Sequence, residues 1–498
     1  MTENTTSQVP PLPARTRWLY GTGLLASGIK SSAFATYLLL YFNQVMGVPA
    51  YIVSTAIALT LVVDAVVDPI IGRVSDRTRS RLGRRHPYLF GAAVPAGVFF
   101  ALTWFPPAGL TDIGMGAWVF GMASLTRICM SLFEIPSSAL GAELTSEYSE
   151  RTRLFAIRFW FGYIGAFGFA AMSLVLFFVA TPEYSRGQLN PEGYVWFAIT
   201  GGALIALAVL TSAFGTKSRI PYLRQVRQRE SRLSLRDHAR EMADAFTHRP
   251  FLSIFGYSLS KQTAIGLYTA TTIYFGTYIF ELTATELAIL TVENLVAATV
   301  AAPLAPRLSG WFGKRNAAMA MGLFGILIGV MPLVLTYLDL FFVPGDKLLL
   351  PTLFTVGAAY HAMIATSLMN SSGMIADTVE DHAVKSGRHN AGLFFSVNSL
   401  TSQAAVGLGI LVAGLVLELS NFPIGADPTG VSETIKDSLI LYYVPLTVSL
   451  WLIGSLLLLS YPITEASHIR NLEILAAREA QAKAAIVRDT PIAGPGGG

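Results

Sequence analysis

Charge is scarce in this chain. Asp, Glu, Lys and Arg make up 13% of its 498 residues and hydrophobic residues 53%, whereas a soluble domain carries roughly 25% charged residues. That leaves too little polar surface to clothe a water-soluble body. The deficit recurs in long apolar blocks, each able to cross a ~30 Å hydrocarbon core. Cysteine is nearly absent: Cys129 stands alone, which excludes an intramolecular disulfide and a cysteine-based metal cluster. The chain has no paired His/Glu zinc motif, no Gly-x-Ser-x-Gly elbow and no phosphate-binding loop, so an enzyme is not expected and no cofactor is implied. The polar, Pro-rich start of the chain lacks an apolar core, so no cleavable signal peptide is expected. The net charge of +4 does not point to nucleic acid, because the positive charges follow membrane topology.

What is present is an all-α polytopic membrane protein. Twelve transmembrane helices are predicted, at 18–45, 50–72, 87–106, 114–140, 155–180, 193–216, 251–280, 286–306, 316–338, 349–372, 391–418 and 438–461. With the N-terminus placed in the cytoplasm, 28 of the 35 Lys and Arg residues fall on inner segments. Arg186, Lys347 and Lys436 alone fall on outer loops, and four more lie inside spans. The positive-inside rule therefore places both termini in the cytoplasm, and a bacterial inner membrane is expected. The chain divides into an N-terminal tail (1–17), a six-helix bundle (18–216), a linker (217–250), a second six-helix bundle (251–462) and a C-terminal tail (463–498). In the linker, Leu235, Ala239, Met242, Ala243 and Phe246 have helical apolar spacing and predict an amphipathic surface helix.

The halves echo one another. Gly72-Arg73-Val74-Ser75-Asp76-Arg77, followed by Gly83-Arg84-Arg85, lies between spans 2 and 3. Arg307 to Arg315, containing Gly313-Lys314-Arg315, lies between spans 8 and 9. Two parallel repeats of this kind are the pattern of the major facilitator fold, whose usual work is alternating access. Asp76, Arg77, Arg84, Arg85, Lys314 and Arg315 are candidate elements of a cytoplasmic gate, pairing with acidic groups and helix ends. A basic loop that only anchors topology is the alternative.

Charges inside spans are rare enough that each is a functional candidate. Asp64 and Asp68 lie one turn apart on one face of span 2. Two adjacent carboxylates in a low dielectric favour either a bound proton or a cation between them, so Na⁺, Li⁺ or H⁺ suits the pair. An ion pair with an embedded Arg or Lys is the alternative. In span 4, Arg127, Ser131 and Glu134 share a face, and Ser131 can add a hydroxyl to a cation site. Lys30, Arg158 and Lys261 add positive charge suited to an anionic substrate. Glu293 is a further buried acid. His361, the sole histidine well inside a span, is either a packed, hydrogen-bonded side chain or a proton relay.

Several stretches together resemble the glycoside–pentoside–hexuronide:cation symporter family. They are Tyr20-Gly21-Thr22-Gly23, Asp64-Ala65-Val66-Val67-Asp68-Pro69, the loop from Arg77 to Pro87, Glu134-Ile135-Pro136, Ala142 to Thr145, Glu150 to Arg153, and Ile375-Ala376-Asp377 through Gly387-Arg388 to Phe395. The resemblance implies cation ligation by Asp64, Asp68 and Ser131. It also implies substrate contacts from Glu134 and Arg158. Where the family's melibiose permeases have a sugar-binding aspartate in span 1, this chain has Gly28, and their span-11 lysine is replaced by Gln403. The implied function is secondary active symport of a sugar or glycoside with Na⁺ or H⁺, with a hexuronide fitting Lys30, Arg127 and Lys261. A transporter of lysophospholipids or other amphiphiles on the same fold is the alternative. The partners implied are a small-molecule substrate, a coupling cation and the bilayer, with a monomeric chain.

Overall fold

A computed structural model describes residues 11–145, 147–223, 248–386 and 391–489. The helices, numbered by span, are α1 (Ala14–Val45), α2 (Ala50–Arg77), α3 (His86–Thr103), α4 (Asp112–Leu144), α5 (148–176), α6 (Pro191–Thr216), α7 (249–279), α8 (Ala284–Phe312), α9 (Lys314–Tyr337), α10 (Leu349–Ser386), α11 (Ala391–Leu419) and α12 (Glu433–Leu459), followed by a tail helix, α13 (Glu465–Asp489). Leu235 to Phe246 and the predicted linker helix lie outside the described residues.

Eleven of these helices are long and apolar enough to cross a bilayer. The seventh expected span, α7, is helical throughout but more polar. Ser253, Ser258, Lys261, Thr263 and Thr271 are buried in it. It packs against α11 and α12 and touches α1 across the halves, so its polar face is turned to protein rather than lipid and its composition is relaxed accordingly. This is an integral membrane protein.

The two halves repeat each other in packing as well as sequence. In the first half α1 contacts α5 and α6, α2 contacts α4, and α3 contacts α4 and α6. In the second half α7 contacts α11 and α12, α8 contacts α10, and α9 contacts α10 and α12. Both first helices end in a wide-turn π segment, Tyr41–Val45 and Phe275–Ile279, and the next helices start at Ala50 and Ala284. A single sequence offset between the halves relates all these landmarks. Glycines permit the tightest crossings: a Cβ on Gly165 would stand 2.2 Å from the Leu25 carbonyl, and one on Gly266 would stand 2.2 Å from the Val406 carbonyl.

Between the halves, α2 lies on α11, α1 on α7 and α5 on α8. At the end remote from the basic loops they are locked by polar contacts. Gln44 donates to the Pro423 carbonyl (3.1 Å) and accepts from Tyr278 Oη (2.9 Å) and the Ala426 amide (3.1 Å). Tyr274 Oη donates to Asn43 (3.1 Å), and Gln188 donates to Thr277 Oγ1 (3.0 Å) and the Leu282 carbonyl (3.2 Å). At the basic-loop end, ion pairs among the described residues lie within a half. Arg84 and Arg85 meet Glu143 at 2.9 and 3.0 Å, Arg85 meets Asp76 at 2.6 Å, and Lys314 meets Asp377 at 2.7 Å. The polar contacts across the halves thus close the end remote from the basic loops. Each hydrogen bond contributes ~0.5–1.5 kcal/mol, so Gln44→Ala, which removes three, is expected to raise the population open at the locked end by about tenfold or more. Spin-label distances across that end measure the shift, and an unchanged distribution would show that Gln44 is not part of the lock.

Candidate functional site

The carboxylates of α2 stand where α1, α4 and α5 converge. Asp64 is buried, and its Oδ2 accepts from Arg127 Nη1 on α4 at 2.8 Å. Of the options open for the α2 carboxylates, an embedded arginine is therefore the one seen for Asp64 in this conformation. Asp64 Oδ1, Asp68 Oδ1 and Arg127 Nε are buried without a hydrogen-bond partner, which leaves two carboxylate oxygens free to take a ligand. Asp68 has the Ser131 hydroxyl beside it and, among the described residues, no arginine partner. Prolines follow closely on both helices, at Pro69 and Pro136. Each lacks the N–H that would bond the carbonyl four residues earlier, so the Ala65 and Leu132 carbonyls lose their intrahelical donors near the carboxylates. Two carboxylates and a hydroxyl give oxygen-only donors, which fit a hard monovalent cation or a proton.

The rest of the cluster is anionic and cationic in alternation. Lys30 Nζ on α1 donates to Glu134 Oε1 at 3.3 Å, with Ser27 and Arg158 also near Glu134. Arg158 on α5 is buried and donates to Tyr20 Oη at 2.6 Å, its guanidinium 5.4 Å from the Tyr20 ring centre. Tyr20 in turn donates to the Ser137 carbonyl at 2.8 Å. Arg127 also lies 5.9 Å from the Phe34 ring. Asp64, Asp68 and Glu134 against Lys30, Arg127 and Arg158 give zero net charge when all are ionised. Sequence reasoning named these six and missed Tyr20 as the partner of Arg158, although Tyr20 opens the Tyr-Gly-Thr-Gly stretch.

The remaining substrate candidates are placed apart. Lys261 is buried in the second half, donating to Ser371 Oγ at 2.7 Å and lying 4.7 Å from the Tyr257 ring. Gln403 is exposed on α11. Cβ positions at Gly407 and Gly414 would fall 1.9 Å from Leu61 and 2.0 Å from Ser54, so the antiparallel α2 and α11 bring Gln403 level with the stretch that carries Asp64. Gly28 is occupied by packing: a Cβ there would stand 2.1 Å from the Gly162 carbonyl and 2.7 Å from the Ala166 nitrogen. The residue replacing the family's aspartate is thus a helix-crossing point between α1 and α5. Gly28→Ala is expected to destabilise the protein by ~1–3 kcal/mol, as overpacking does, and Gly28→Asp by more. A melting curve of the purified variants measures this, and a wild-type melting point would contradict the crossing.

The gate candidates divide by partner. Arg84 and Arg85 fasten their loop to Glu143 of α4, and Arg85 also bonds Ser75 at 2.9 Å. Lys314 fastens the corresponding loop to Asp377 of α10, while Arg315 donates to the Leu459 and Tyr461 carbonyls at 3.4 and 3.3 Å. Arg77 is exposed. Glu143 and Asp377 are related by the same offset as the starts of α2 and α8, so the two halves use the same clamp between a basic loop and the fourth helix. The tail helix α13 docks on the end of α10, with His468 Nδ1 2.9 Å from Glu380 and Arg478 donating to the Val384 carbonyl at 2.9 Å.

Residues 19–465 match the family described as MFS/sugar transport protein. Among curated relatives, the isoprimeverose transporter of Lactiplantibacillus pentosus is 26% identical over 82% of this chain and 81% of its own. The glucuronide carrier protein homolog of Escherichia coli is 26% identical over 81% and 83%. The sodium-dependent lysophosphatidylcholine symporter 1 of Xenopus tropicalis is 25% identical over 90% and 87%. Among solved structures, the inward-open xylose transporter XylE from E. coli superposes with a TM-score of 0.61 at 14% identity, covering 92% of this chain and 98% of that one. An inward-facing bacterial homolog of the lysosomal transporter Spinster gives 0.61 at 13% identity over 92% and 97%. At these identities the structural likeness fixes the fold, a major facilitator arrangement of two six-helix halves.

Proposed function

Because this chain belongs to the glycoside–pentoside–hexuronide:cation symporter family of MFS/sugar transport proteins, we propose that it couples Na⁺ or H⁺ at Asp64 and Asp68 to the uptake of an anionic glycoside, a hexuronide. The observation that carries this reading is the balanced cluster of three acids and three bases around two unpartnered carboxylate oxygens. Adding one cation leaves the cluster with one positive charge in excess, and one carboxylate-bearing cargo restores neutrality. A neutral sugar would leave the excess charge buried, which is unfavourable in a low dielectric.

With the basic loops on the cytoplasmic side, the locked end faces outward and the conformation is inward-facing. In the proposed cycle the cation enters from outside, neutralises Asp68 and competes with Arg127 for Asp64. Arg127, released, then joins Lys30 and Arg158 in meeting the carboxylate of the cargo, while Glu134 accepts from sugar hydroxyls. The contacts of Gln44, Gln188 and Tyr274 form as the halves rock inward. The loaded site then faces the cytoplasm. Arg84, Arg85 and Lys314, bound within their own halves here, exchange partners when the inner end closes.

Thermal stabilisation of the purified protein tests the reading. A glucuronide is expected to stabilise the protein more in Na⁺ or at low pH than without a coupling ion, and a neutral glycoside less in both. The lysophosphatidylcholine symporter, alike over 90% of this chain, supports a second reading, an amphiphile carrier of the same fold. Stabilisation by lysophosphatidylcholine alone would favour it and sink the hexuronide.

A further inference from the structure

The second half contains a buried acid–base pair that the proposed cycle does not use. Glu293 on α8 is buried, and its Oε1 lies 3.2 Å from His361 Nδ1 on α10. Both residues sit about a third of the way along their helices. The same Nδ1 is 2.9 Å from the Gly357 carbonyl. A Cβ on Gly357 would stand 2.0 Å from Glu293 Oε2, so the carboxylate fills the space that this glycine leaves. The rings of Tyr360 and Tyr268 lie 4.8 and 5.6 Å from the imidazole, and Tyr443 of α12 adjoins the two tyrosines. Among the described residues neither member of the pair has a Lys or Arg partner. Residues 164–176 of α5 and 316–336 of α9, which also pack here, contain no titratable side chain.

The pair is the counterpart of Asp64 and Arg127. His361 is related to Arg127 by the same sequence offset that relates Asp377 to Glu143 and the start of α8 to that of α2. In both cases the base stands on the fourth helix of its half and the acid on the second. The difference is chemical. Arginine keeps its proton at every accessible pH, whereas an imidazole exists in both neutral and protonated forms. A carbonyl can only accept, so Nδ1 carries a hydrogen in either charge state of the ring. The exchangeable proton is then held on His361 Nε2 or on the Glu293 carboxyl. A buried carboxylate with no permanent cation beside it requires that proton to be neutralised.

We propose that Glu293 and His361 form a proton-binding site of the C-terminal half, which makes the balance between the two end-open conformations depend on pH. One proton from solvent converts the pair from net negative to neutral, with no other bond made or broken. The change is felt between the halves because α8 packs directly on α5 of the first half. The site is separate from the α2 carboxylates and does not depend on which cargo the chain carries.

The test uses the full chain in lipid nanodiscs, with spin labels at the basic-loop ends of the two halves. The unmodified pair is expected to give an inter-half distance distribution that shifts with pH. His361→Arg copies the permanent pair of the first half, and the double variant Glu293→Gln with His361→Gln removes both titrating groups while keeping hydrogen-bonding side chains. Both are expected to lose the part of the shift that this pair supplies, leaving at most that of the α2 carboxylates, and their neutral-pH distributions report folding independently. Absence of a shift in the unmodified chain, or a wild-type shift in either folded variant, would overturn the proposal.

Discussion

Asp68→Asn is expected to abolish uphill uptake while leaving downhill exchange. Among the described residues Asp68 has no arginine partner, and its Oδ1 is buried and orphaned, so the amide removes the proposed cation ligand and a negative charge without stranding a buried base. Because the cation and the anionic cargo cross together, no net charge moves and the driving force is the concentration gradient of the cation: a tenfold gradient supplies ~1.4 kcal/mol, equivalent to about tenfold accumulation. Without the cation that driving force is uncoupled, and internal substrate should only equilibrate with external. Counterflow in proteoliposomes separates the two activities: it should persist in the variant while gradient-driven accumulation disappears. Retained accumulation would remove Asp68 from the coupling site.

Asp64→Asn should behave differently, because Asp64 is bound to Arg127. Removing one member of a buried ion pair leaves the other charge uncompensated and costs about 3–5 kcal/mol, whereas replacing both members by neutral groups of similar volume is often close to neutral. Asp64→Asn alone is therefore expected to lose both transport and stability. Asp64→Asn with Arg127→Met is expected to recover most of the stability and none of the coupling. A double-mutant cycle from denaturation curves gives the pair energy directly. Additive losses, with no recovery in the double variant, would mean that the contact between Asp64 and Arg127 does not hold the helices together.

The parts of this picture that sequence resolves are those set by composition and local spacing. The spans follow from apolar length, and α7 is the informative exception, since Lys261 and its threonines are buried against protein. Asp64 and Asp68 share a face through their four-residue spacing alone. Which base meets which acid is a property of helix packing. Arg127 is remote from Asp64 along the chain, and only the contact of α2 with α4 selects it over the other intramembrane cations. The same holds for Glu293 and His361, two isolated polar residues in sequence that the α8–α10 contact makes a pair. The basic loops are visible as a repeat, but their attachment to Glu143 and Asp377 within each half depends on which end of the protein is closed. Gly28 shows the limit of reading by correspondence: the backbone of α5 occupies the place where a side chain would go.

The most direct measurement of the central claim is radiolabelled glucuronide uptake into proteoliposomes under an imposed inward Na⁺ or H⁺ gradient. Accumulation above the external concentration, collapsing when the gradient is dissipated and absent in Asp68→Asn, is the result expected of a hexuronide:cation symporter. Uptake that only equilibrates, whatever ion gradient is applied, would contradict coupling at Asp64 and Asp68.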